Sequence, residues 1–210
     1  MDGTLRRARL ARSRLYLVIG ANDRGILDAA LRGGVDVVQL RDKELPDAGL
    51  VRAAEPFRRA CTAHGALFVL NDRPDLVDAC GADGVHVGQS DANVGDARAV
   101  VGDERIVGLS IETQDQLDST EGADYLGVGA VFSTPTKAES VAGGLELVRA
   151  AAARVRIPWF AIGGIELDNV AEVAAAGAPG VAVVRAIRDA DDPEAAAYAL
   201  RAALGEPASA

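Results

Sequence analysis

Short runs rich in Val, Ile and Leu recur along the chain, separated by longer Ala-rich segments in which apolar residues return every three or four positions. This alternation predicts parallel strands joined by crossover helices. A strand buried on both faces reads as a continuous apolar run, and a helix packed against it shows a single apolar stripe. Eight such runs lie near residues 15–19, 35–40, 67–70, 84–87, 106–109, 125–128, 159–162 and 181–184. Eight parallel strands close a barrel, so the expected fold is α/β, a single (β/α)8 TIM barrel. A doubly wound open sheet is the rival that periodicity leaves standing.

The intervening segments carry the helical half of the pattern. Leu50, Ala54, Phe57 and Cys61 recur on one face, as do Leu145, Val148 and Ala152, with charges on the other faces. Pro74 and Gly81 bracket a short helix, and Gly33, Gly65, Gly122 and Gly177 each close another just before a strand. The helix after Thr113 is weakly patterned, and the Ala-rich stretch after Asp192 supplies the eighth. No linker or low-complexity tract breaks the rhythm. The expectation is one domain over 1–210, with 1–14 as an N-terminal extension or helix and 205–210 as a frayed tail.

Composition narrows the function classes. With 49% hydrophobic residues in 210, the chain can bury a core without disulfides, and its two cysteines, Cys61 and Cys80, fall in apolar helical stretches where a small buried thiol is the ordinary reading. A formal charge of -9 disfavours nucleic acid and anionic membrane, so any anion site must be local. No apolar run reaches the length of a membrane span. Residues 1–14 are basic but lack the apolar segment of a signal peptide, and a cytoplasmic location is expected.

Candidate chemistry clusters where a barrel keeps it, just after the strands. Gln39, Arg41 and Lys43 share one parity in Gln39-Leu40-Arg41-Asp42-Lys43, so two cations converge on one spot. Asp72, in Asn71-Asp72-Arg73-Pro74, and Asp91, in Gly88-Gln89-Ser90-Asp91, follow neighbouring strands, which run about 4.8 Å apart. Two carboxylates that close call for a cation, and oxygen ligands beside phosphate-binding bases suit Mg²⁺. The competing reading makes each Asp the cap of its following helix. Ser110 ends the fifth run. After the sixth, Thr134-Pro135-Thr136-Lys137 offers hydroxyls and a cation to a phosphate. Gly163-Gly164 and Val184-Arg185 end the last two, where barrels hold a phosphate on backbone N–H groups. Two anion subsites are implied. His64, before Gly65, reads as a partner of a helix C-terminus, and His86 as a packed or hydrogen-bonded strand residue. No metal-spaced Cys/His cluster, nucleophile elbow or dinucleotide fingerprint occurs, so hydride and acyl transfer lose support.

Together these motifs, with Val85-His86-Val87 and Ala161-Ile162-Gly163-Gly164-Ile165, resemble the thiamine phosphate synthase family along nearly the whole chain. The resemblance implies a transferase on a TIM barrel that uses Mg²⁺. It would join 4-amino-2-methyl-5-hydroxymethylpyrimidine diphosphate to a (carboxy)thiazole phosphate, giving thiamine phosphate and pyrophosphate by a dissociative path. It implies Gln39, Leu40, Arg41, Asp42, Lys43, Asn71, Ser110 and Lys137 for the pyrimidine diphosphate, with Arg41, Lys43, Ser110 and Lys137 catalytic. Asp72 and Asp91 would bind the metal, and Thr134, Pro135, Thr136, Gly164, Val184 and Arg185 the thiazole phosphate. A homodimer is a family expectation. The chain departs from the family at Arg185, where many relatives have Ser, at Ile19-Gly20, where Thr-Asp is common, and at 138–142, usually more basic and Pro-rich. A thiazole tautomerase on the same barrel and a non-catalytic barrel binding a thiamine precursor stand as alternatives.

Overall fold

The computed structural model describes residues 1–133 and 143–205. Helix α1 (Gly3–Leu10) precedes eight parallel strands: β1 (Leu15–Ile19), β2 (Val37–Leu40), β3 (Leu67–Asn71), β4 (Gly84–Val87), β5 (Ile106–Ile111), β6 (Tyr125–Val128), β7 (Trp159–Ile162) and β8 (Val181–Val183). Each strand pairs with the next, and β8 returns to β1 with Leu15, Tyr16 and Leu17 beside Val181, Ala182 and Val183. That last pairing closes the TIM barrel, excludes the open sheet and removes every strand edge. Helices α2 (Leu27–Arg32), α3 (Asp47–His64), α4 (Val77–Cys80) and α5 (Val94–Val101) follow the first four strands in turn. Then α6 (Gly144–Arg154) follows β6, α7 (Val170–Ala175) follows β7, and α8 (Arg185–Arg188) and α9 (Pro193–Ala203) follow β8.

Strand parity divides the core in two. Leu15, Leu17, Val38, Leu40, Phe68 and Leu70 point outward and pack with Phe57, Cys61, Val148 and the other inner faces of the helices. The opposite parity fills the barrel with Tyr16, Val18, Val37, Leu67, Val69, Ile106, Tyr125 and Phe160. The ring of Tyr125 fits because its neighbour is Gly108, where a Cβ would lie 2.1 Å from the ring. Tyr16 meets Phe160 edge-on at 5.2 Å between centroids, a favourable aromatic geometry.

The strand boundaries shift where polar side chains intervene. The second strand starts at Val37, and Asp36 just before it ties the strand's beginning to its surroundings: its carboxylate accepts the N–H groups of Arg14 and Leu15 and pairs with Arg201. The weakly patterned segment after Thr113 forms only a 3-10 turn, Asp115–Asp118. The stretch after Asp192 is a helix as expected, with the Asp192 carboxylate accepting from the N–H groups of Glu194 and Ala195. A short additional helix, α8, precedes it. Cys61 and Cys80 are buried and unpaired, and burial raises both thiol pKa values, so neither is a ready nucleophile.

Helix α1 covers the amino-terminal mouth of the barrel. Leu10 joins the interior cluster, and the helix arginines reach residues that sit just before strands. Arg6 donates to Asp83 at 2.9 Å and to the Glu104 carbonyl at 3.1 Å, and Arg7 donates to Asp124 at 2.7 Å. The Arg6 side chain is 8% exposed and that of Asp83 16%, so losing one partner leaves a largely buried charge. Breaking such a pair costs about 3 kcal/mol. Arg6→Met is therefore expected to lower the urea unfolding free energy by roughly that amount. Wild-type stability in the variant would show that this pair does not anchor α1.

Candidate active site

At the opposite, carboxyl-terminal mouth lies a cavity of about 730 Å³, within the range of small-ligand sites. Strand parity determines much of its lining. Gln39, Arg41 and Lys43 share the inward parity of Val37 and stand on one wall with Asn71. Ser110 continues the inward row Ile106-Gly108 and also lines the cavity. Asp72 has the wrong parity for this. It turns back because its backbone adopts a left-handed conformation, φ 58°, which Asp tolerates better than most side chains. Its carboxylate then receives Lys43 at 2.9 Å.

Neither candidate aspartate serves as a helix cap. The turn after Asp72, Pro74–Leu76, has no side-chain cap, and α5 is capped by Asn93, which accepts the N–H of Asp96. Asp91 instead accepts the Gly88 N–H at 2.9 Å and lines the same cavity as Asp72. Among the described residues no group of three or more His, Cys, Asp or Glu side chains forms a metal cage. Two carboxylates beside a ligand-sized cavity do fit Mg²⁺, which is commonly held by one or two carboxylates and completed by substrate phosphates and water.

Across the mouth stand Gly164, Val184 and Arg185, the described part of the second expected anion subsite. Gly163 and Gly164 have φ of 105° and 64°, and a Cβ on Gly164 would meet the Phe132 Cβ at 2.7 Å, so only glycine suits this turn. Asn169 braces it, donating to the Gly164 carbonyl at 3.0 Å while accepting the Glu166 N–H. The Arg185 guanidinium is 3.5 Å from Glu166, so its charge is partly answered within the protein.

Two of the expected residues, Leu40 and Asp42, are not among those lining the cavity. Leu40 is fully buried among the outer helices, as its parity dictates. Asp42 braces its own loop, accepting the N–H groups of Ala21, Glu44 and Leu45. Thr134, Pro135, Thr136 and Lys137, together with the departure at 138–142, lie outside the described residues.

Several cavity residues were not singled out from sequence as ligand contacts: Tyr16, His86, Tyr125 and Phe160 form the floor, and Glu166 and Arg188 reach the rim. The usable signal was parity, since the floor residues share the inward faces of their strands. His86 is hydrogen-bonded, as read from sequence, with Nδ1 3.1 Å from the Tyr125 hydroxyl and Nε2 3.0 Å from Ser110 Oγ. His64 ends α3, as expected, and also meets Asp28 at 3.3 Å.

The profile of the thiamine monophosphate synthase family matches residues 15–187. The chain belongs to that family. It is 49% identical to the thiamine-phosphate synthase of Thermobifida fusca over the full length of both chains. It is 43% identical to that of Nostoc punctiforme, covering 91% of this chain but 56% of the longer relative. Among solved structures, the thiamine phosphate pyrophosphorylase of Pyrococcus furiosus superposes with a TM-score of 0.85 at 32% identity, covering 93% of this chain and 96% of that one. In this family member the charged mouth and the aromatic floor are two layers of one cavity.

The floor has a consequence for pH. Burial raises the pKa of both Tyr16 and Tyr125, because a phenolate there would lose its hydration. The unfolded chain ionises these groups near pH 10 and the folded chain resists. Their neutral burial therefore stabilises the fold fully below about pH 10 and progressively less above it. Spectrophotometric titration is expected to show phenolate absorbance from both tyrosines appearing only with unfolding. Ionisation of all three tyrosines of the chain in a folded protein at pH 10 would contradict their burial.

Proposed function

We propose that this barrel is a thiamine phosphate synthase, a transferase that joins 4-amino-2-methyl-5-hydroxymethylpyrimidine diphosphate to (carboxy)thiazole phosphate and releases pyrophosphate. The observation that carries the reading is the meeting of Arg41, Lys43, Asp72 and Asp91 around one cavity. Two bases and two carboxylates at a single mouth suit a diphosphate accompanied by a divalent cation. Family membership and the full-length similarity to thiamine-phosphate synthases support the same reading.

The step needs no protein nucleophile. The bond between the pyrimidine methylene carbon and the diphosphate oxygen breaks with its electron pair leaving on pyrophosphate. The electron-rich aminopyrimidine supports the resulting cation, and the thiazole nitrogen lone pair forms the new carbon–nitrogen bond. Arg41 and Lys43 oppose the charge growing on the leaving group, Ser110 donates a hydrogen bond, and Lys137 adds a third cation. Gln39 and Asn71 orient the pyrimidine end. Gly164, Val184 and Arg185, with Thr134 to Thr136, hold the thiazole phosphate. Asp72 and Asp91 would hold Mg²⁺, which when bound neutralises part of the diphosphate charge.

The reading extends to a single functional domain acting on small phosphorylated substrates in the cytoplasm, without nucleic acid or membrane, and as a homodimer. No helix among the described residues is long and apolar enough to cross a membrane.

Incubating the protein with both precursors and Mg²⁺ is expected to yield thiamine phosphate and pyrophosphate in equal amounts. Isomerisation of the thiazole without coupling would indicate a tautomerase, and binding without turnover a non-catalytic binder. Lys43→Ala is expected to lose about a hundredfold in kcat, equivalent to roughly 3 kcal/mol of transition-state stabilisation. Asp91→Ala is expected to abolish Mg²⁺-dependent turnover with an unchanged circular dichroism spectrum. Full activity of Asp91→Ala at saturating substrates would remove that residue from the metal site.

A further inference from the structure

Beneath the charged mouth a chain of hydrogen bonds crosses the barrel interior. Gln39 Nε2 donates to the Tyr16 hydroxyl at 2.7 Å, which lies 2.9 Å from the Tyr125 hydroxyl. Tyr125 is in turn 3.1 Å from His86 Nδ1, and His86 Nε2 is 3.0 Å from Ser110 Oγ. Five side chains from five strands are linked, and none of the three central ones has a part in the chemistry above.

One end fixes the direction of the whole chain. An amide nitrogen can only donate, so Tyr16 accepts from Gln39 and must pass its own proton to Tyr125. Tyr125 then accepts from Tyr16 and donates to His86 Nδ1. A ring nitrogen that accepts carries no proton, so the imidazole proton sits on Nε2 and goes to Ser110 Oγ. Burial keeps both phenols protonated, which the relay requires. At the two ends, opposite groups are left for the cavity. Among the described residues no buried side-chain nitrogen or oxygen lacks a partner, and Gln39 lines the cavity, so its carbonyl oxygen is the end open to a ligand. Ser110 accepts from His86 and keeps its own proton to donate into the cavity.

We infer that Tyr16, Tyr125 and His86 are positioning residues that fix an acceptor at Gln39 and a donor at Ser110, so that the cavity selects an aminopyrimidine over its oxo counterpart. The selectivity part rests on the synthase reading; the relay itself does not. An amide free to rotate presents its NH₂ as readily as its carbonyl, whereas one tethered to Tyr16 presents the carbonyl alone. An exocyclic amine meets that carbonyl as a donor, and a ring carbonyl meets it lone pair to lone pair. A buried acceptor left facing an acceptor forfeits a hydrogen bond and its desolvation, a difference of about tenfold or more in affinity.

Two measurements test the two parts separately. In nitrogen-15 spectra of the unliganded protein at neutral pH, the His86 ring is expected to be neutral with its proton on Nε2, and Tyr125→Phe is expected to relax that preference. A wild-type ring protonated on Nδ1 would overturn the relay whatever the protein catalyses. For selectivity, inhibition constants are compared for 4-amino-2-methyl-5-hydroxymethylpyrimidine and its 4-oxo analogue. The wild type is expected to prefer the amine, and Tyr16→Phe, which frees the Gln39 amide, to narrow the ratio about tenfold at an unchanged melting temperature. Tyr125→Phe removes the acceptor of the Tyr16 proton, which can then turn to the Gln39 carbonyl, and it too is expected to narrow the ratio. An unchanged ratio in a folded Tyr16→Phe protein would overturn the proposal. If Tyr16→Phe does not fold, Gln39→Glu, which is an acceptor at both oxygens, is expected to keep the amine preference, and its loss there would overturn the proposal equally. Failure of the wild type to bind either pyrimidine would sink the substrate assignment and the selectivity built on it, while the ring spectrum still decides the relay.

Discussion

In a closed barrel of parallel strands each side chain has two destinations, the barrel interior or the helix layer, and the choice alternates along every strand. That constraint underlies the rest of this molecule. Outward positions carry the apolar residues that the helices cover, which is why Leu40 belongs to the core although its neighbours on either side reach the cavity. Inward positions are apolar low in the barrel and become polar toward the carboxyl-terminal mouth. Along β2 and its extension the inward row changes from Val37 to Gln39, Arg41 and Lys43. One row of alternate residues thus passes from core through positioning to chemistry.

Charge of both signs is gathered at that mouth, on a protein that is otherwise acidic. Within the protein the cluster is partly self-satisfied: Lys43 pairs with Asp72, Arg185 faces Glu166, and Asp91 takes a backbone N–H. Lys43 is about half exposed, so this pairing contributes little to stability, and exchanging Asp72 for an anionic ligand costs little. The aromatic floor behaves differently. Its polar atoms are all partnered and its rings are packed, so it is a rigid base that fixes orientation while the mouth supplies charge.

The barrel was legible because eight apolar runs and their glycine punctuation repeat a simple rhythm. Its closure is a long-range pairing of β1 with β8, which no local pattern encodes. At the site, parity exposed Arg41 and Lys43, position at the strand ends drew in Ser110, Gly164 and Val184, and resemblance added the role of Asn71. Leu40 and Asp42 entered the expected set only through belonging to a contiguous motif, and parity sends the first to the helix layer while the second braces its loop. Asp72 is instructive in the opposite sense: alternation turns it away from the cavity, and a left-handed backbone brings it back. The floor was missed because Tyr16 and Tyr125 sit inside apolar runs and read as packing. Their hydroxyls gain meaning only when strands distant in sequence are brought together.

The central physical claim is that Arg41, Lys43, Asp72 and Asp91 form one receptor for a diphosphate and a divalent cation, each making the other bind. Isothermal titration of inorganic pyrophosphate into the protein with and without Mg²⁺ tests this directly. The account predicts measurable binding with the cation and a loss of at least about tenfold in affinity when it is removed by a chelator. Equal affinity in the two conditions would contradict it.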